Sequence, residues 1–127
     1  MNKHLAHTGI WIDRSKAVVV MIDSGKSFII PIFSSIRLNR VNNGHSPGKG
    51  VNSTAADSQF FDRILDYLPT DHKIIILGPD ETKFDFREYL QKKRPELSSV
   101  QTKVAGHMAT YDVVETVRNH FYSNNLA

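Results

Sequence analysis

Cysteine is missing from all 127 residues. That removes disulfides, thiolate metal sites and cysteine nucleophiles from consideration, and it suits a reducing compartment. Long apolar runs are missing too. The stretches at 17–22 and 74–77 are the longest, far short of the about 20 residues that a membrane-spanning helix needs. Residues 1–8 carry no apolar signal core and read as a short frayed lead-in. A third scarcity is local. No aspartate or glutamate occurs between Asp23 and Asp57, while Lys26, Arg37, Arg40 and Lys49 fall in that window together with His45. The net charge of +3 implies little alone. A basic excess concentrated on one segment is either the footprint of a polyanion partner or a solvated loop with a chance shortage of acids.

What is present fits one domain. A hydrophobic fraction of 40% and a charged fraction of 23% are ordinary, and at this length they support a real core without covalent staples. The expected domain spans residues 1–127. Residues 8–13 and 16–23 are β-rich runs joined by Asp13-Arg14-Ser15, short enough for a hairpin turn. Ser24-Gly25 marks a second turn, and residues 27–38 form a third strand. Pro31 lacks a ladder donor, so it points to an edge strand or a bulge. Residues 39–53, NRVNNGHSPGKGVNS, hold three glycines, four asparagines and no periodicity. A loop of this length inside a compact domain is usually functional or disordered.

A helix is expected from Thr54, capped by that residue, with Asp57 in its first turn and Phe60, Phe61, Ile64, Leu65 and Leu68 on one face. Residues 73–77 are fully apolar, the pattern of a strand buried on both sides. After the turn Gly78-Pro79-Asp80, the pattern predicts a helix over 81–93, a strand over 99–105 and a last helix over 110–122. In that last helix Val113, Val114, Val117 and Phe121 face inward. The order βββαβαβα, with three antiparallel strands and then two right-handed crossovers, is that of a ribonuclease-H-like α/β mixed sheet with helices packed on it.

Two stretches resemble a known family. KIIILGPDETKFDFREYL, residues 73–90, is similar to the strand–turn–helix in the central domain of archaeal and eukaryotic class-1 release factors and Pelota. There an apolar strand meets a Gly-Pro or Pro-Gly turn, a Lys, a Phe and a Tyr-Leu. GIWIDRSKAVVVMIDSGK resembles the paired first strands of the same domain. The chain looks closer still to short bacterial relatives of these factors, the translational machinery proteins. The resemblance implies the ribonuclease-H-like order already read from the residues, and a role on the ribosome. In release factors the loop before the first helix carries a Gly-Gly-Gln motif that promotes peptidyl-tRNA hydrolysis. The matching residues here, NNGHSPGKG at 42–50, contain no glutamine. Pelota likewise lacks the motif and binds stalled ribosomes, so the resemblance implies binding without catalysis. The codon-recognition and partner-binding domains of full-length factors have no counterpart in these residues.

Other chemistries draw on the same residues. The loop departs from a P-loop, because Gly48-Lys49 comes one residue too soon after Gly44 and Gly50 stands where Ser or Thr is required. It retains backbone N–H groups and Lys49 for contact with phosphate. Ribonuclease-H-like nucleases hold two Mg²⁺ ions with acids on the first strand, first helix, fourth strand and last helix. Asp13, Asp57 or Asp62, Asp80, and Asp112 or Glu115 occupy those regions, though most also read as turn or first-turn helix residues. The histidines show no zinc spacing; His107 and His120 read as cap or surface residues. Trp11 reads as core rather than a base-stacking platform.

The expectation is therefore a cytoplasmic, translation-associated protein that binds the ribosome or structured RNA, in rescue or translational regulation. It would use no catalysis, metal or cofactor, and no membrane. The expected RNA contacts are Arg37, Arg40, Gly44, His45 and Lys49. The alternatives are a Mg²⁺-dependent nuclease, which needs converging carboxylates, and a protein-interaction domain, which needs an exposed apolar patch.

Overall fold

The computed structural model describes residues 7–23, 26–34, 50–68, 73–97 and 99–123, with the backbone alone for 50–57 and 123. The chain runs β1 (His7–Ile12), β2 (Lys16–Asp23), β3 (Lys26–Phe33), α1 (Gly50–Leu65), β4 (Lys73–Gly78), α2 (Thr82–Lys93), β5 (Val100–Val104) and α3 (Thr110–Arg118), then a π-helical turn over Asn119–Ser123. The five strands form one sheet in the order β3-β2-β1-β4-β5. The first three strands are antiparallel, and β4 and β5 join parallel to β1. This is the ribonuclease-H-like arrangement that the element order predicts.

Side-chain alternation sorts the core into two layers. Ile10, Ile12, Ala17, Val19, Ile74 and Ile76 point to the face covered by Phe60, Phe61, Ile64 and Leu65 of α1 and by Phe86 and Leu90 of α2. Trp11, Val18, Val20, Ile75 and Leu77 point to the opposite face, where Val113, Val114 and Val117 of α3 and then Phe121 cover them. Strand β4 feeds both layers, which is why it is apolar at every position from Ile74 to Leu77. Each such side chain contributes about 1.5–3 kcal/mol when fully buried. Trp11 is a core residue, 1% exposed, and its indole N–H donates to the Gly106 carbonyl at 2.9 Å. At Gly9 a Cβ would run into the methyl groups of Val117, so the glycine lets α3 lie directly on β1.

Pro31 sits opposite Val18 on β3, an edge strand among the described residues. The Ser34 N–H donates to the Ser15 carbonyl, which sets the alternation so that Pro31 falls in a non-hydrogen-bonded pair. The missing donor therefore points away from the sheet.

Strand β3 ends at Phe33, where the expectation ran to residue 38, of which 35–38 lie outside the described residues. Other boundaries differ as well. His7 belongs to β1 rather than to a frayed lead-in, and Thr8, where the expected strand begins, is fully buried. Their pairing with Ile22 and Met21 on one side and Lys73 and Ile74 on the other extends the ladder to the start of the strand. Helix α1 begins at Gly50, so the expected loop over 39–53 loses its last four residues to the helix, Thr54 is not the cap and Asp57 is not in the first turn. Asn and Ser are weak helix formers, but their penalty is only a few tenths of a kcal/mol each, which a following amphipathic face overrides. The last helix ends as α-helix at Arg118 and continues as the π turn. A four-residue spacing in a 3.6-residue helix carries each successive side chain about 40° further round. Widening the turn keeps Phe121 on the side already occupied by Val113 and Val117.

Candidate functional site

The carboxyl ends of β1 and β4 lie side by side, the position where open α/β sheets commonly bind ligands. Two turns close this end. In the first, one Asp13 carboxylate oxygen accepts the Ser15 N–H at 2.8 Å, the Lys16 N–H at 2.9 Å and the Ser15 hydroxyl at 3.1 Å. Asp13 thus builds the β1–β2 turn, as an aspartate that bonds the backbone two and three residues on. In the second, the Asp80 carboxylate accepts the Thr82 N–H at 2.9 Å, and its carbonyl accepts the Lys83 ammonium at 2.8 Å. Lys83 is 3% exposed, and its ammonium lies 4.5 Å from the centre of the Phe84 ring. The lysine of the resembling motif is therefore a brace for the turn. Gly78 completes the packing, since a Cβ there would collide with the Ile12 carbonyl oxygen.

These turns account for two of the acids on which the nuclease alternative draws. Asp13 and Asp80 are engaged within their own turns, and Asp62 accepts the Tyr89 hydroxyl at 2.6 Å. The carboxylate beside it raises the Tyr89 pKa, chiefly through that hydrogen bond. Among the described residues, no group of three His, Asp or Glu side chains could hold a metal ion. His107, 75% exposed, lies 3.9 Å from Asp13 and is a surface residue, as expected.

The expected RNA contacts, Arg37, Arg40, Gly44, His45 and Lys49, lie outside the described residues. What is described is where their segment joins the body. Ser34 is tied to Ser15 by a 2.9 Å backbone bond, and the Arg63 guanidinium of α1 donates to the Phe33 carbonyl. The segment thus leaves the sheet beside the β1–β2 turn, where Arg14 is exposed and Lys16 lies 5.7 Å from the Trp11 ring.

The opposite end of the sheet holds a group that residue patterns did not reveal. His7 of β1, Lys73 of β4 and His120 of the π turn line one depression with Gln101 of β5. The His7 ring lies 4.4 Å from that of Phe121, and its buried Nδ1 makes no hydrogen bond. Burial first, and then the charges of Lys73 and His120, hold the His7 pKa below the usual imidazole value. Burial and then Lys103 do the same to His120. The alternation His7, Gly9, Trp11 was the available sequence signal, because it puts His7 on the α3 face.

The chain is homologous to a segment of Pelota. It is 35% identical over 97 residues, 68% of its own length, to "Protein pelota homolog" of Methanosarcina acetivorans, of which it covers 25%. It shares a fold with the Pelota protein of Thermoplasma acidophilum, with a TM-score of 0.61 at 16% identity, over 97% of this chain and 34% of that one. The Pelota of Archaeoglobus fulgidus gives a TM-score of 0.55 at 14% identity, over 98% and 38%. The archaeal translation termination factor aRF1 gives 0.52 at 12%, over 95% and 40%. The chain therefore spans between a quarter and two-fifths of the length of these relatives. No protein-family model matches it. Among the described residues, no helix is long and apolar enough to cross a membrane.

Proposed function

We propose that this chain is a translation-associated protein that binds the ribosome through structured RNA, acting as one ribonuclease-H-like domain of the short bacterial translational machinery type. The observation that carries the reading is the 35% identity to a Pelota homolog over 97 residues. On this reading it works in the cytoplasm, in rescue or translational regulation, without a cofactor and without catalysis. Arg37, Arg40 and Lys49 contact backbone phosphates, the glycine backbone at Gly44 lets the chain approach them closely, and His45 adds a lesser contact. The basic segment and the absence of glutamine from residues 42–50 support binding over hydrolysis.

Sucrose-gradient sedimentation of tagged protein tests this. Wild type is expected to travel with ribosomal particles at low salt and to be released as salt rises. The variant with Arg37→Ala, Arg40→Ala and Lys49→Ala is expected to remain at the top of the gradient. Wild type that never sediments with ribosomes would overturn the proposal. A second reading, a protein-interaction domain, is favoured by the side chains of Phe28, Ile29 and Phe33 on β3, which are 51%, 44% and 41% exposed. It predicts that the triple variant sediments as wild type does.

A further inference from the structure

Strand β5 carries two different surfaces. Val100 packs against the α1/α2 layer, whereas Gln101 and Lys103 project to the α3 side, in register with Ile75 and Leu77. There the single helix α3 covers the middle of the sheet and leaves the β5 side chains exposed. The space between α3 and β5 is a groove whose walls are Gln101, Lys103, Thr116, Asn119 and His120. At Gln101 and His120 it runs directly into the depression formed by His7 and Lys73.

The chemistry of this groove is one-sided. Lys73, His7, His120 and Lys103 follow one another along it, each close enough to the next to depress an imidazole pKa by its charge. No described carboxylate lines it, and Asp112 and Glu115, on the same helix, fall outside its walls. The lysines are at the exposed surface and the histidine rings are half buried. Asn119 and His120, which line the groove, belong to the π turn, and such turns recur at functional positions. Amide groups on Gln101 and Asn119 add neutral donors beside the cations.

We infer that this groove binds the sugar–phosphate backbone of single-stranded RNA, with Lys73 and Lys103 on successive phosphates and Gln101, Asn119 and His120 donating to phosphate or ribose oxygens. The inference rests on the reading of the partner as RNA. It assigns a second contact surface, at the end of the sheet remote from the β1–β2 turn. A cationic groove that tracks a backbone is the general requirement for such binding.

The test is fluorescence anisotropy of a labelled polyuridine oligonucleotide with the full chain across a salt series. The variants are Lys73→Ala with Lys103→Ala, and separately the triple variant of Arg37, Arg40 and Lys49. Both lysines are exposed, and an unchanged thermal midpoint shows that the double variant is folded. The double variant is expected to bind several-fold to tenfold more weakly. Its slope of log affinity against log salt should fall by roughly 0.7 per lost contact. Wild-type affinity and slope in the double variant would overturn the groove while leaving RNA binding through the basic segment standing. Wild type that binds no polyuridine would overturn the groove, while the reading of a structured-RNA partner stands or falls by the sedimentation experiment. Polyglutamate competing as well as polyuridine would overturn the assignment in favour of an acidic protein segment. Inorganic phosphate that shifts the His7 and His120 ring resonances, where polyuridine does not, would reassign the groove to the free anion.

Discussion

The two ends of the sheet dispose of their polar groups differently. At the carboxyl end of β1 and β4, Asp13, Asp80 and Lys83 are bonded inside the turns they belong to, and Gly78 lets the two strand ends touch. At the amino end, His7, Lys73 and His120 gather on strand starts and a helix terminus, beside a ring stack rather than a network of backbone bonds. The first end hardens the fold in the place where a nuclease would keep its acids. The second leaves the Lys73 ammonium at the surface beside two half-buried imidazoles, where they are of more use to a partner than to stability.

If that contrast is right, substitutions at the carboxyl end damage stability most. Gly78→Ala is expected to show the largest effect, because the added Cβ meets the Ile12 carbonyl rather than a side-chain tip that could rotate away. A loss of about 3 kcal/mol, of the order seen for strong overpacking, would appear as a lowered urea midpoint with an unchanged m-value. A Gly78→Ala variant as stable as wild type would show that the two strand ends are loosely joined.

Asp13→Ala is next. It strands two turn N–H donors that the carboxylate now accepts, at a cost of about 1–2 kcal/mol. Asp13→Asn keeps an acceptor oxygen and should recover most of that loss in the same urea titration. If Ala and Asn behave alike, Asp13 matters for its charge and not for its bonds to the turn.

The smallest effect belongs to the amino end and appears only with acid. His7 and His120 have folded-state pKa values below 6.5, their ordinary value, mainly because they are buried. The unfolded chain then binds protons more readily than the folded one. The stability from the neutral rings is fully present above about pH 6.5 and is lost as pH falls through the folded-state values. Thermal midpoints measured above and below that pH should differ less in the variant with His7→Gln and His120→Gln than in wild type. An identical drop in both would place the acid sensitivity elsewhere.

Much of the architecture is legible in the sequence because hydrophobic period and turn chemistry agree. The unbroken apolar run of β4 announces burial on both faces, Pro31 announces an edge, and Trp11 reads as the core residue it is. Helix α1 reads one turn late because Asn52 and Ser53 look like loop residues when judged by propensity alone. The basic groove is not legible. His7 and His120 stand near opposite ends of the chain, and only the β1–β4 pairing and the π turn bring them together. The residues expected to touch RNA, from Arg37 to Lys49, lie outside the described structure, so that expectation rests on the basic sequence of their segment.

Pro31 has a consequence for the molecule in a crowded cell. Strand β3 shows three large apolar side chains on a sheet edge, the pattern by which chains add to one another strand by strand. An incoming strand would need the outward N–H of residue 31, and proline has none. It would also need the outward carbonyl of Phe33, which the Arg63 guanidinium already occupies. The edge can therefore be greasy without being a template for aggregation. Pro31→Ala, which restores the donor and leaves the apolar surface intact, is expected to raise light scattering with concentration more steeply than in wild type.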